Sequence, residues 1–264
     1  MMRIDVLTLF PEIFESPLNA SLLRKAQERG AVHFAIYNLR DYAVDRHRTT
    51  DDSPFGGGAG MVLKPEPIVR ALEAVQSQGE RGKVILLCPQ GRRLSQEIVQ
   101  ELSSESRLIL LCGHYEGVDE RIRLHYADDE ISIGDYILTG GELPALVLLD
   151  AVVRLLPGAL GNPGSTRDES FCGGGLDYPQ YTRPQEFEGR RVPDVLLSGD
   201  HREIARWRRK EALRRTRDRR PDLLDLSVLT AEDRKLLDES EREDLLRTSA
   251  PDGHALESSA AQRK

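Results

Sequence analysis

The stretch SIGDYILTGGELPA, residues 132–145, decides how this chain folds. It sets apolar residues around Gly134-Asp135, breaks at Gly140-Gly141 and restarts as an apolar segment. Because glycine alone combines positive φ with close backbone approach, the Gly-Gly pair predicts a loop wrapped against a ligand. Residues 142–156 are apolar at nearly every turn, which predicts a helix buried on several sides or at a subunit interface.

A second loop of the same kind, CGHYEGVDER at residues 112–121, follows an apolar run at 108–111. Each loop alone is compatible with an ordinary tight turn. Two such loops, each closing a hydrophobic strand, predict a flat cofactor pocket at the carboxyl edge of a parallel sheet. Strand-like runs at 3–9 and 83–87 alternate with helical patterns, so the predicted fold class is α/β with a parallel sheet.

Composition restricts the class of protein. The 264 residues are 39% hydrophobic and 31% charged, which is typical of a soluble globular protein. The three cysteines have no metal-ligand spacing, so we expect no zinc and a reduced, cytoplasmic setting. No apolar run reaches the length needed to cross a bilayer, and the N-terminus lacks a signal-peptide layout, so we expect no membrane association.

The net charge of −7 hides a strong asymmetry near the C-terminus. Residues 202–220 carry ten Arg and Lys side chains against three acids, and the balance reverses after Pro221. A solvated helix face is one interpretation of this basic run. We favour binding to an RNA backbone, with Arg208, Arg214 and Arg215 as candidate contacts.

Glycine-rich residues 158–175 indicate a linker between two domains. We predict a catalytic domain at 1–160, a linker at 161–175, a smaller helical RNA-binding domain at 176–248 and a disordered tail at 249–264. Within the second domain, Asp200 is expected to cap a helix over 201–215. A further helix is expected from Asp225 or Ser227 to residue 246.

The most specific signals are long ungapped strings. They include LFPEIF (9–14), DRHRTTDDSPFGGGAGMV (45–62), PQGR (89–92), RLLPGALGN (154–162), DYPQYTRP (177–184) and VPDVLLSGDH (192–201), besides the two loops above. Together they span about residues 3–224 and closely resemble the bacterial tRNA (guanine-N1)-methyltransferases, members of the knotted SPOUT superfamily. The resemblance implies a deep trefoil knot in the parallel-sheet domain, followed by an all-helical C-terminal domain.

The resemblance also implies S-adenosylmethionine as cofactor, bound in a bent shape by the knot loops. The absence of a GxGxxG fingerprint is consistent with this fold. Carried over residue by residue, the cofactor positions are Leu87, Pro89, Gly113, Tyr115, Glu116, Gly117, Ile133, Gly134, Asp135, Tyr136, Ile137, Leu138, Gly140 and Gly141. Magnesium is an auxiliary cofactor in the family, although no dedicated magnesium site is readable here.

The run of glycines at 56–60 is not followed by Lys-Ser or Lys-Thr, which disfavours a nucleotide-binding P-loop. Its flexibility and its basic neighbours suit a loop that closes on RNA, with an ordinary turn as the alternative. The resemblance places these residues beside the nucleotides that flank the target. The candidate RNA contacts are Arg46, His47, Arg48, Asp51, Gly56, Gly57, Gly58 and Gly60.

The implied reaction is methylation of N1 of the guanosine just 3′ of the anticodon, position 37 of tRNA. It requires a base for the N1 proton and a positive charge for the developing oxyanion on O6. The resemblance assigns O6 to Arg154 and the base to the acid before Ser170-Phe171. The family has Asp there and this chain has Glu169, so we prefer Glu169 on register and keep Asp168 as the alternative.

The family resemblance further implies tRNA as partner and a homodimer whose active site lies at the subunit interface. One rival is a SPOUT enzyme that acts on another RNA base or on ribose, which the pairing of Arg154 with an acid disfavours. Another is a non-catalytic tRNA-binding protein, which the intact cofactor loops disfavour.

Overall fold

The computed structural model describes residues 1–160, 169–172 and 174–249. The chain divides into two compact units, Met1–Pro163 and Gly164–Lys264. Asp168, most of the predicted linker and the predicted tail from residue 250 onward lie outside the described residues. No helix in the described part is both long and apolar enough to span a bilayer.

The first unit is a parallel α/β domain. Its sheet has five strands, which lie side by side in the order Val32–Asn38, Met2–Thr8, Arg107–Cys112, Lys83–Arg93 and Asp129–Ser132, and every pairing is parallel. The elements are β1 (Met2–Thr8), α1 (Glu12–Leu18), α2 (Ser21–Glu28), β2 (Val32–Asn38), β3 (Asp51–Asp52), β4 (Val62–Leu63), α3 (Pro65–Gln76), β5 (Lys83–Arg93), α4 (Gln96–Ser103), β6 (Arg107–Cys112), α5 (Glu120–Tyr126), β7 (Asp129–Ser132) and α6 (Glu142–Val153).

Helices cover both faces of this sheet, as the continuous apolar strands require. Residues of α1, α2, α4 and α6 pack on one face, and residues of α3 and α5 pack on the other. β6 is buried along its whole length, so it lies in the middle of the core. The predicted α/β class with a parallel sheet is confirmed.

The strand β5 continues beyond its predicted end at residue 87. Its pairing with β7 shifts between Leu87 and Arg92, so the residues between them leave the regular ladder. This irregularity matters because residues 88–90 then face the space between the two glycine loops. The edge strands β2 and β7 were not predicted from the sequence.

The second unit contains β8 (Glu186–Phe187), β9 (Arg190–Arg191), α7 (His201–Arg219) and α8 (Ala231–Ser249). The expectation of an all-helical unit is therefore corrected by the small β8–β9 hairpin. Glu188 and Gly189 both have positive φ, as a two-residue hairpin turn of this hand requires. Asp200 caps α7 as predicted, accepting hydrogen bonds from the backbone amides of Arg202 and Glu203.

Both long helices differ from their predicted bounds. α7 runs four residues further, to Arg219, and stops before Pro221, which disfavours helical geometry at the residue before it. α8 starts at residue 231 because Asp225 and Ser227 bond to each other in a local turn. Thr230 and Asp233 instead form a capping box, each accepting from the other's backbone amide at 3.1 Å.

Candidate functional site

The two glycine loops line one cavity at the carboxyl edge of the sheet. Its volume is about 380 Å³, and its walls come from the ends of β5, β6 and β7 and from the start of α6. All the predicted cofactor residues line it except Asp135. The Asp135 side chain is exposed and lies 3.8 Å from the Arg93 guanidinium, so the structure places it outside the cavity.

Several lining residues were not predicted. They are Leu86, Cys88, Gln90, His114, Val118, Glu120, Arg123, Ile131, Ser132, Thr139 and Pro144. Six of these eleven lie in the two glycine loops, at 112–121 and 132–145, so taking every position of the loops as a candidate would have found those six. Cys88 is half-buried, and burial together with the nearby Glu130 raises the pKa of its thiol to about 11. The Cys88 thiol is therefore neutral near pH 7 and serves as part of the wall.

Gly140 and Gly141 are needed for close packing, and neither has positive φ. This corrects the expectation from the sequence. A Cβ on Gly141 would lie 2.7 Å from Cα of Cys112, and the Gly141 amide donates to the Gly113 carbonyl at 2.8 Å. The pair therefore presses the start of α6 against the end of β6, which brings the two cofactor loops together.

Positive φ occurs elsewhere in the cavity walls. Gly117 and Gly134 have φ of +119° and +152°, and Tyr115 has φ of +59°. A Cβ on Gly134 would lie 2.5 Å from the Tyr136 ring. The Tyr115 ring stacks edge-on against His114, with centroids 4.6 Å apart. These conformations shape the loops around the cavity.

The glycine-rich loop at residues 53–62 adjoins the cofactor loop. The Glu116 amide donates to the Met61 carbonyl at 3.0 Å, and the Leu63 amide donates to the Gly117 carbonyl at 2.9 Å. A Cβ on Gly60 would collide with the Glu116 side chain. Glu116 thus lies in the cavity wall and against the glycine loop, which links the two predicted sites physically.

The candidate RNA residues of this loop are mostly exposed. Arg46, His47 and Arg48 are exposed, and Arg48 pairs with Asp41 at 3.0 Å. Asp51 is half-buried in β3. The four candidate glycines, 56, 57, 58 and 60, all have positive φ, and the Phe55 side chain beside them is fully exposed. The loop therefore presents backbone and one aromatic ring to solvent.

The two catalytic candidates in the described residues lie in different units. Arg154 follows α6 directly and is half-buried in the first unit. Glu169 begins a turn in the second unit, where the Cys172 amide donates to its carbonyl at 3.2 Å. Ser170 Oγ accepts from the Asp177 amide at 3.0 Å and so fixes the register of the turn. Asp168 is outside the described residues.

The basic run on α7 is largely paired with the acidic run on α8. Arg206 and Glu239 are 2.6 Å apart, as are Arg209 and Asp233, while Lys210 and Glu243 are 2.5 Å apart. Arg214 and Arg217 both pair with Asp244. The charge reversal at Pro221 therefore joins two helices, and Arg214 is less available to RNA than its position in the run indicates.

Two other candidate cations have no ion pair with a described carboxylate. Arg208 is exposed and lies 4.8 Å from the centre of the Tyr178 ring, over its face. Arg215 donates to the Asp177 carbonyl at 3.3 Å. Arg208 also borders a second cavity, within the second unit, of about 360 Å³; Tyr178, Tyr181, Gln180 and Arg183 are among the residues that line it. Its aromatic and basic lining is of the kind that binds unpaired nucleotides.

Among the described residues, no three His, Cys, Asp or Glu side chains lie close enough together to hold a metal ion.

Comparison with known proteins shows the family of this chain. The family model described as tRNA (Guanine-1)-methyltransferase TrmD matches residues 2–226. The curated tRNA (guanine-N(1)-)-methyltransferase of Geobacillus kaustophilus is 59% identical over 242 residues, covering 92% of this chain and 99% of the relative. That of Dictyoglomus turgidum is 57% identical over 243 residues, covering 92% and 98%. The chain belongs to the tRNA (guanine-1)-methyltransferase family.

Proposed function

We propose that this protein transfers a methyl group from S-adenosylmethionine to N1 of the guanosine at position 37 of tRNA. Family membership implies the methyl donor and the tRNA substrate. The observation that carries the proposal further is the cavity formed by both glycine loops at the carboxyl edge of the sheet, where cofactors of parallel α/β domains bind. Its volume of about 380 Å³ is in the range of small-molecule sites.

The cavity supports a division of roles. Apolar walls such as Leu87, Ile133 and Leu138 suit the adenine ring, and the loop amides and carbonyls suit its polar edge and the ribose. Glu116 provides a carboxylate for the sulfonium charge or the ribose. Bound S-adenosylmethionine would supply the electrophilic methyl group. We propose that the loops form the trefoil knot and hold the cofactor in a bent shape.

The chemical step needs two protein groups. We assign Glu169 to accept the N1 proton as the methyl group is transferred, and Arg154 to stabilise the negative charge that develops on O6. Glu169 is preferred because it directly precedes Ser170-Phe171, the position at which the family has its acid. Asp168 remains the alternative base.

A homodimer would assemble this site from two chains. We propose that the cofactor cavity of one subunit works with the Glu169 turn of its partner. The exposed face of α6 supports this interface. Leu143 and Val147 on that face are 54% and 47% exposed, although the opposite face of the helix is buried. Ile137, in the cofactor loop, is 80% exposed. Exposed apolar residues next to a functional cavity are typical of an interface.

We propose that two surfaces of the protein bind tRNA during the reaction. The reaction is proposed to take place in the cytoplasm. The loop at 53–62 would close on the nucleotides beside the target, because it bonds to the cofactor loop. The helical unit would hold the RNA backbone through the cations that α8 leaves free of ion pairs in the described residues, Arg208 and Arg215 foremost.

Replacing Arg208 and Arg215 together by Gln should weaken tRNA binding by about tenfold. The salt dependence of binding should also decrease, because a complex with fewer phosphate contacts releases fewer counterions when it forms. Filter binding over a range of salt concentrations measures both. The matched control replaces Lys235 and Arg242, two exposed cations of α8, by Gln. This double variant removes the same amount of charge from the same unit. Equal effects of the two double variants would indicate net charge alone. Arg214 and Arg217 are poor targets, because their loss would also remove ion pairs between α7 and Asp244 of α8.

The proposed function is tested by methyl transfer to unmodified tRNA transcripts that differ only at position 37. A transcript with guanosine there should accept one methyl group, and a transcript with adenosine should accept none. Equal transfer to both would contradict the assigned target, and transfer to neither would contradict the proposed activity.

A further inference from the structure

A buried hydrogen bond joins the end of the first strand to the start of α6. Thr8 Oγ1 donates to Glu142 Oε1 at 2.7 Å, and the Phe10 amide donates to Thr8 Oγ1 at 2.9 Å. The two side chains are 0% and 4% exposed. A carboxyl group is costly to bury, and the fold could begin an apolar helix with an apolar residue at this position. Glu142 therefore calls for a role beyond packing.

The second carboxyl oxygen of Glu142 points toward the other cofactor loop. A Cβ on Gly140 would collide with Glu142 Oε2 at 2.3 Å and with His114 Nδ1 at 2.6 Å, so these two atoms border the same small space that the glycine leaves. His114 and Gly140 also form an antiparallel backbone bridge. His114 Nδ1 is buried and has no hydrogen-bond partner among the described residues.

The ring of His114 is held in place on both sides. Its centroid lies 4.9 Å from that of Phe10 and 4.6 Å from that of Tyr115. Phe10 is itself bonded through its amide to Thr8. A closed chain of contacts thus runs from Thr8 to Glu142, across Gly140 to His114, and back through Phe10. It crosses both loops that line the cofactor cavity.

We propose that Thr8, Glu142 and His114 are positioning residues that fix the distance between the two cofactor loops. A proton on His114 Nδ1 would be directed toward Glu142 Oε2 across Gly140, and this electrostatic attraction would tie the loop at 112–118 to the loop at 134–141. The inference rests on the proposed function, since it takes the cavity as the S-adenosylmethionine site. These residues act through the loops and leave the chemistry to Glu169 and Arg154.

The test is calorimetric binding of S-adenosylmethionine to full-length variants, with thermal melting to verify folding. Thr8→Val, Glu142→Gln and His114→Phe should each weaken binding by about tenfold, the scale of one buried hydrogen bond to a charged group. Thr8→Ser and His114→Asn should retain most of the affinity of the unsubstituted protein, because each keeps a hydrogen-bond donor at the same place. The double variant Thr8→Val, Glu142→Gln should bind S-adenosylmethionine about as tightly as the weaker-binding of the two single variants, because the two side chains form one unit.

Rate and affinity should separate. At saturating cofactor the single-turnover methyl transfer of Thr8→Val and Glu142→Gln, which lie outside the cavity lining, should stay within about threefold of the unsubstituted protein, whereas loss of a catalytic group lowers the rate itself. Ser95→Ala is the matched control, since Ser95 Oγ caps α4 away from the cavity. It should lower the melting temperature and leave cofactor affinity unchanged.

Three results would overturn the proposal. One is cofactor affinity within about twofold of the parent in folded Thr8→Val and Glu142→Gln, since the expected loss is tenfold. Another is failure of both conservative variants to retain affinity. The third is an equal loss in Ser95→Ala, which would assign the effect to general stability. If the unsubstituted protein binds no S-adenosylmethionine, the proposed function itself fails, and that outcome is distinct from these three.

Discussion

Replacing Glu169 by Gln is expected to slow methyl transfer by about 100-fold or more, the usual scale for loss of a general base. Gln keeps the size and polarity of the side chain and cannot accept the N1 proton. The measurement is single-turnover transfer at saturating tRNA and cofactor, which isolates the chemical step from binding. Affinity for both substrates should change little, because the carboxylate acts in the transition state.

Neighbouring variants decide between the two acids. Asp168→Asn should be milder than Glu169→Gln, and Glu169→Asp should keep substantial activity because Asp is the family's residue at this register. Arg154→Ala should be about as damaging as Glu169→Gln, since O6 would lose its countercharge. A nearly normal rate in Glu169→Gln with a collapse in Asp168→Asn would move the base one residue upstream. Normal rates in both would contradict a carboxylate base.

Replacing Gly113 by Val is expected to abolish measurable S-adenosylmethionine binding while the protein stays folded. A Cβ at Gly113 would meet the Leu87 carbonyl oxygen at 3.7 Å and Val118 Cγ1 at 4.0 Å, both ordinary contacts, so the backbone accommodates it. The added branches would then occupy the cavity that Gly113 lines. Calorimetry measures the binding and thermal melting verifies the fold.

Gly79→Val is the matched control, because Gly79 is exposed, lies outside the cavity and would meet only the end of the Arg107 side chain, at 3.6 Å. Its cofactor affinity should equal that of the parent. Gly141→Val is a poorer probe than the sequence indicated, since its Cβ would lie 2.7 Å from Cα of Cys112 and would disturb folding. Undiminished binding by a folded Gly113→Val variant would place the cofactor elsewhere.

The parallel sheet and the cofactor loops were predictable because their signals are local. Apolar runs bounded by turns mark β1, β5 and β6, and quoted strings contain the loops that follow β6 and β7. The reason for Gly140-Gly141 was not predictable. The sequence cannot reveal that Cys112 and Glu142 crowd these glycines, because that contact joins separate elements. The position of Asp135 outside the cavity was not predictable for the same reason, because it depends on contacts between residues far apart in the sequence, such as the one with Arg93.

The basic run illustrates a second limit. Ten cations within residues 202–220 predicted an RNA surface, and the acidic run after Pro221 carried no separate prediction. In the structure the two runs form α7 and α8, and at least five cations of α7 face carboxylates of α8. Charge sums along a sequence cannot distinguish pairing between helices from exposure to a ligand. The contrast between Arg208 and Arg214 depends on the fold.

The most direct test of the account is to identify the methylated atom. Unmodified tRNA transcript is incubated with the protein and S-adenosylmethionine, digested to nucleosides and oligonucleotides, and analysed by chromatography with mass spectrometry against synthetic standards. The account predicts 1-methylguanosine, confined to the oligonucleotide that carries position 37 and absent when the protein carries Glu169→Gln at short reaction times. Methylation of the ribose, of another guanine nitrogen, or of another nucleotide would contradict it.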